Sequence, residues 1–258
     1  MQAVFRRKPG GNAVDQIEKY EAIADAYQES MRLPFRDAIE RYTLVEMLGD
    51  VTGAKALDMA CGDGYYTRLL KRAGASEATG VDVSAEMVRR AEELEKRDPL
   101  GCAYRQSEVA AFRPPEPVDV IVAVYSLGYS RTAEELGRFC QSCHDALRPG
   151  GRFVGLNDNV RNPPPGTGSL EKYGLLRTCA QPPSEGDVVR WTITNPDGRR
   201  FDLENFHLTR ETYENAFRAT GFGEFRWVDL QLQPSERGNP FWDDFLAQPP
   251  IVGFAATR

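Results

Sequence analysis

The sequence predicts an α/β fold, a mostly parallel sheet with helices on both faces. Three observations predict it. Short apolar runs alternate with amphipathic ones between Lys55 and Asn157. Those runs are continuously apolar, as strands buried on both faces are, and do not alternate with polar residues. A glycine-containing turn joins the first run to the helix-like segment after it.

The elements follow in order. Residues 1–12 read as a loose tail broken by Pro9-Gly10-Gly11. Val14–Ser30 carries Ile17, Tyr20, Ile23, Ala24 and Tyr27 at helical spacing, and a second helix runs from Phe35 to Leu48 with Gly49 as its stop. Strands are expected at Lys55–Ala60, Ala78–Val83, Cys102–Arg105 and Val118–Val124. The helices between and after them are Tyr65–Ala73, Ser84–Lys96 (Ser84 as cap) and Ala133–Leu147. "RPGGRFVGLN" turns into another strand. Residues 161–187 are too rich in Pro and Gly for a regular element. Residues 187–208 form two β-rich halves around Asn195-Pro196-Asp197-Gly198, a hairpin signal. A helix over Arg210–Thr220 and strands at Phe225–Leu232 and Ile251–Ala256 complete the chain, with no internal repeat. One domain, 1–258, is expected, with a helical cover over 13–48 and a late β insertion over 158–208.

Composition narrows the function. The chain has 258 residues, 41% hydrophobic and 27% charged, with a net charge of −6. Its basic residues are scattered pairs, not the clustered patch of a nucleic-acid binder. The N-terminus lacks the apolar region of a signal peptide, and no run approaches the ~18 apolar residues of a membrane span. Five cysteines form no secreted-domain framework. A cytoplasmic protein without nucleic-acid or membrane partners is expected. The single Cys140-x-x-Cys143-His144 cluster lies inside a helical segment and lacks a second pair, so no metal site is expected.

The chemistry lies in "ALDMACGDGYYTRLL", Ala56–Leu70. A strand ends at Ala60, Cys61-Gly62-Asp63-Gly64 makes the turn, and a helix begins at Tyr65. Glycine permits close approach of a ligand to the main chain, and a helix start offers free N–H groups. A tight structural turn has the same look. Asp82, ending the next strand 18 residues after Gly64, is placed to accept hydrogen bonds from both hydroxyls of an adenosine ribose. A nicotinamide-dependent oxidoreductase shares that acid but requires a third loop glycine, where this chain has Thr67. Asp58 and Asp63 also place negative charge where a pyrophosphate would be repelled and an ammonium or sulfonium favoured.

These motifs resemble the first two of the class I S-adenosylmethionine-dependent methyltransferases, the second being "GVDVSAEMVRRAEE". "VDVIVAVYSLGY" resembles the family's fourth-strand motif, and "CHDALRPGGRFVGLN" the helix–turn–strand that follows. The resemblance covers roughly residues 15–160. It implies a Rossmann-like sheet of seven strands, mostly parallel, with the last strand inserted antiparallel. It also implies S-adenosylmethionine as cofactor and S-adenosylhomocysteine as product. By motif, Asp58, Ala60, Gly62 and Gly64 would line the methionine end, and Asp82 would hold the ribose. Val83 and Met87 would lie against the adenine, with Glu108 and Val109 at its amino group and Tyr125 near the sulfonium. Tyr20, Tyr27 and Arg36 would close over the amino-acid moiety or simply pack the N-terminal helices.

A small-molecule acceptor is expected, because the extra segments follow the fifth strand. Tyr129, Asn157, Asp158 and His207, with Tyr125, are candidate pocket residues. His207 and Tyr125 are the candidate catalytic groups, His207 alternatively being a structural histidine at a strand end. Trp191, Phe206, Tyr173 and Trp242 offer aromatic surface for a flat ring or belong to the core. "YEAIADAYQESMRLPFR" and "GNPFWDDFLAQPPIVGF" resemble the bacterial toxoflavin-synthase-like methyltransferases, which implies N-methylation of an aromatic heterocycle in secondary metabolism. An O-methyltransferase acting on a phenol and a cofactor-binding protein without catalysis are the alternatives.

Overall fold

A computed structural model describes residues 23–161 and 170–258. A helix over 23–30 (α1) leads into a π-helix, Arg36–Arg41, and α2, Tyr42–Leu48. Then come β1 (Lys55–Met59), α3 (Tyr65–Arg72), β2 (Glu77–Asp82), α4 (Ala85–Arg97), β3 (Cys102–Gln106), β4 (Val118–Val124), α5 (Ala133–Ala146) and β5 (Leu147–Asp158). β6 (Leu175–Thr178), β7 (Val188–Thr194) and β8 (Arg200–Phe206) precede α6 (Arg210–Ala219), β9 (Glu224–Val228), α7 (Asp243–Ala247) and β10 (Ile251–Thr257).

Seven strands form one sheet in the order β3-β2-β1-β4-β5-β10-β9. β1 to β5 pair in parallel, and β10 enters antiparallel between β5 and β9. The mostly parallel seven-stranded sheet with an inserted final strand is therefore as expected. Strand alternation explains why it needs helices on both sides. In β4, Val120 and Val122 join Leu44, Leu48 and Leu70 from α2 and α3, whereas Ile121 and Ala123 join Leu136, Cys140 and Phe217 from α5 and α6. Both faces are apolar, so an uncovered face would leave apolar surface in water. Cys140 and Cys143 are fully buried in this packing, and His144 meets the Phe222 ring edge-on at 5.2 Å.

β6, β7 and β8 make a separate antiparallel sheet. The hairpin turns where expected, with Gly198 N donating to Asn195 O at φ +84°. β6 and the short helix Glu171–Tyr173 correct the expectation of no regular element in 161–187. β6 forms because it pairs with β7, a long-range contact that its Pro-rich flanks conceal. A third apolar cluster, including Leu33, Phe35, Ile39, Trp191, Ile193 and Ile251, welds this sheet to the N-terminal helices and the main sheet.

Candidate functional site

The carboxyl ends of the parallel strands, α1, the π-helix and the second sheet enclose one cavity of about 400 Å³. At one end lies the glycine turn. Gly62 has φ +55° and open space where a side chain would project, and it lines the cavity. Gly64 serves packing instead: at φ +85°, a Cβ there would stand 2.6 Å from the Tyr104 hydroxyl. Asp82 projects from the end of β2. Its Oδ2 accepts from Gly62 N at 2.8 Å and its Oδ1 from Ser84 N at 2.9 Å, so turn and helix start aim the carboxylate. Burial raises the pKa of Asp82, and also that of Asp63. Asp58, 1% exposed, accepts from Thr67 Oγ1 at 2.7 Å, and burial first, then the charge of Asp82, pushes its carboxyl up to about 7. A cluster of desolvated carboxylates gains from a nearby positive charge.

Opposite the turn, Arg36 Nη1 pairs with Glu40 Oε2 at 2.6 Å, both side chains being buried. The hydroxyls of Tyr66 and Tyr125 also donate to Glu40. Arg36 lines the cavity, and its Nε is buried without a partner among the described residues. Ala60 and Tyr125, at the ends of β1 and β4, both adopt left-handed backbone at φ +62° and +61°. Such strain in residues with side chains concentrates at functional sites. At the far end, Asp158 Oδ2 accepts from Trp191 Nε1 at 3.1 Å and Asn205 Nδ2 at 3.2 Å. The wall there is apolar, formed by Leu175, Ile193, Leu203 and Ile251.

Of the residues expected from sequence, Tyr27, Arg36, Ala60, Gly62, Asp82, Val83, Met87, Glu108, Val109, Tyr125, Tyr129, Asp158 and Trp191 line this cavity. Tyr20 lies outside the described residues. Asp58 and Gly64 sit behind the wall, each turned to a structural partner. Asn157 is fully buried, accepting from Gly128 N and donating to the Tyr213 hydroxyl. Tyr173 is core: it stacks on Trp242 at 5.7 Å and donates to the Phe241 carbonyl. His207 follows β8, outside the lining, and burial and Arg177 lower its pKa. Tyr125 is half-buried, and desolvation raises its phenol pKa well above the usual value, so at neutral pH it stays a donor to Glu40 rather than a base.

Glu40, Tyr66, Ser126 and Asn205 were missed by sequence reasoning. For Asn205 and Leu203 the signal was available: with Phe201 they alternate along β8, so one face of that strand carries all three. For Glu40 only the i,i+4 spacing from Arg36 was local, because its other partners, Tyr66 and Tyr125, lie 26 and 85 residues away.

A family profile described as a methyltransferase domain matches residues 56–151. A ubiquinone biosynthesis O-methyltransferase of Photorhabdus laumondii is 29% identical over 160 residues, 58% of this chain and 65% of the relative. The chain spans between half and two thirds of the length of the curated relatives it matches. Among solved structures, an S-adenosylmethionine-dependent methyltransferase from Mesorhizobium loti is 22% identical, with a TM-score of 0.60 over 83% of this chain and 95% of that one. A DhpI–SAM–HEP complex is 22% identical, with a TM-score of 0.64 over 98% of this chain and the whole of the other. S-adenosylmethionine is the cofactor of this class. The site fits it: Asp82 stands buried at the strand end, Gly62 leaves its backbone open, and Arg36, which lines the same cavity, keeps its Nε without a partner among the described residues. The matched segment is thus similar to methyltransferase domains, and the fold is the one shared by these solved S-adenosylmethionine-dependent methyltransferases.

Proposed function

We propose that the chain transfers a methyl group to a small aromatic or heterocyclic molecule, by N-methylation in secondary metabolism of the toxoflavin or azapteridine kind. One observation carries the reading. A single cavity runs from the Asp82 end to an apolar slot walled by the second sheet, so cofactor and flat acceptor share one enclosed space. When bound, S-adenosylmethionine supplies an electrophilic methyl group on a sulfonium.

The chain's own residues bind, orient and exclude water. Asp82 holds the ribose hydroxyls, and Gly62 lets the chain approach its ligand closely. Val83, Met87 and Val109 pack the adenine, with Glu108 at its amino group. Arg36 Nε and Tyr27 hold the amino-acid end, and Ala60 and Tyr125 set the walls beside the sulfur. Asp58 and Gly64 support the turn from behind. Residues 13–48 and 158–208 act as covers of one domain, 1–258, and Tyr129, Asp158 and Trp191 meet the acceptor. Alignment and water exclusion are the main requirements of an in-line transfer. A neutral ring nitrogen attacks without prior deprotonation, in keeping with a cavity whose lining contains no histidine.

Among the described residues no helix is long and apolar enough to cross a membrane. Net charge of −6 and five free cysteines support a cytoplasmic protein acting on small molecules, with no nucleic-acid or membrane partner.

O-methylation of a phenol is the second reading, favoured by the names of the curated relatives. The test is incubation with S-adenosylmethionine bearing a deuterated methyl group and a metabolite extract, followed by mass spectrometry. Label on a ring nitrogen supports the first reading and label on a phenolic oxygen the second. S-adenosylhomocysteine binding with no transfer to any acceptor rejects both.

A further inference from the structure

The acceptor end of the cavity holds a carboxylate with no cation paired to it. Asp158 is 5% exposed, and its two partners, Trp191 Nε1–H and Asn205 Nδ2–H, are neutral donors on the same oxygen. The Asp158 Oδ1 accepts no hydrogen bond among the described residues. Arg177, the nearby guanidinium, lies over the Trp191 ring at 5.6 Å instead of pairing with the carboxylate. Asn205, 4% exposed, has turned its amide nitrogen to Asp158, which leaves its Oδ1 buried and without a partner among the described residues. Two adjacent side chains lining one cavity therefore each carry an unmatched acceptor oxygen, one of them formally charged. Buried acceptors left unmade are costly, and a buried carboxylate calls for a positive partner. Leu175, Ile193 and Leu203 line the same cavity and present apolar surface.

Resting on the methyl-transfer reading, we infer that the acceptor is a ring bearing an amidine-type edge, as in a 2-amino-N-heterocycle. Taking a proton from solvent on the ring nitrogen beside Asp158, such a ring becomes a cation whose ring N–H and exocyclic amino group donate to Asp158 and Asn205, which makes Asp158 the specificity-determining residue. The nitrogen paired with Asp158 is shielded by that contact, so methylation falls elsewhere on the ring. Acceptors presenting carbonyl or phenolate oxygens on that edge meet oxygen against oxygen and are refused.

The experiment uses the full chain saturated with S-adenosylhomocysteine and three probes: 2-aminoquinoline, the equally sized 2-methylquinoline, and coumarin, whose ring edge offers a carbonyl oxygen and no donor. Calorimetry should show the wild type binding 2-aminoquinoline about tenfold to a hundredfold more tightly than 2-methylquinoline, in line with the loss of hydrogen bonds to a charged group. Asp158→Asn should shrink that preference to about threefold or less while S-adenosylhomocysteine binds as before. Should that variant not fold, Asn205→Ser removes the second acceptor and should weaken only the amino probe. Wild type that takes neither quinoline, takes both equally, or prefers coumarin overturns the inference, as does a preference that survives in the variants. Failure of the methyltransferase reading has its own signature, wild-type protein that does not bind S-adenosylhomocysteine.

Discussion

Asp82 is held by two backbone N–H groups that come from different elements, so its side chain is aimed before any ligand arrives. Asp82→Ala is expected to weaken S-adenosylhomocysteine binding roughly tenfold or more, the scale of lost hydrogen bonds to a charged group. The unfolding midpoint should move comparatively little, and unchanged affinity by calorimetry would count against the ribose role. Asp58 gives a pH-dependent prediction. Its carboxyl rises from 3.8 to about 7 in the fold, so the native protein keeps a proton that the unfolded chain has already released. Its contribution therefore turns against the fold as pH climbs from about 4 to about 7. Asp58→Asn, which titrates in neither state, should gain stability relative to wild type between about pH 5 and about pH 8. Urea unfolding at the two pH values reads the difference, and parallel pH profiles would refute it. Asp82 and the glycine turn were legible in the sequence because strand, turn and helix start lie within a few residues of one another. Asp158 was legible as a position. Its grip by Trp191 and Asn205 was not, since that depends on where a second sheet docks.

The main sheet could be read strand by strand because each buried strand is a local apolar run, and Val118–Val124 is matched to the residue. β6 escaped because only pairing with β7 makes it a strand. His207 and Tyr173 stayed open between pocket and structural roles for a related reason: composition says that a side chain is aromatic or titratable, not which side of its element faces the cavity. The two sheets meet at Asp158 and Trp191. Trp191→Phe keeps the ring and deletes the N–H, and should cost about 1–3 kcal/mol of stability in urea titration because a buried carboxylate loses a donor. A null result would show that water replaces the indole there. At the start of α3, Gly64→Ala adds a Cβ into the Tyr104 ring at positive φ. It should destabilise by more than about 1 kcal/mol, and trimming Tyr104 to leucine should restore only the steric part, leaving the backbone strain.

For the whole molecule, binding and folding are linked. Because the cavity is assembled from both sheets and the N-terminal helices, a ligand inside it stabilises only the folded chain. S-adenosylhomocysteine at a hundredfold excess over its Kd should add about 2.7 kcal/mol, a rise in melting temperature of roughly 5–10 °C for a chain of this size. A thermal melt checks this, and Asp82→Ala at the same concentration should lose about half of the rise or more. The second sheet also stands apart in the connectivity. It leaves the chain after β5 and returns before α6, and β5 pairs directly with β4 and β10 without it. The second sheet's wall of the cavity can thus be lengthened, shortened or rewritten with every register of the main sheet kept. Under the proposed function, selection could alter what is methylated while inheriting the Asp82 end intact, and a designer exchanging residues 175–206 between relatives would be following the same route.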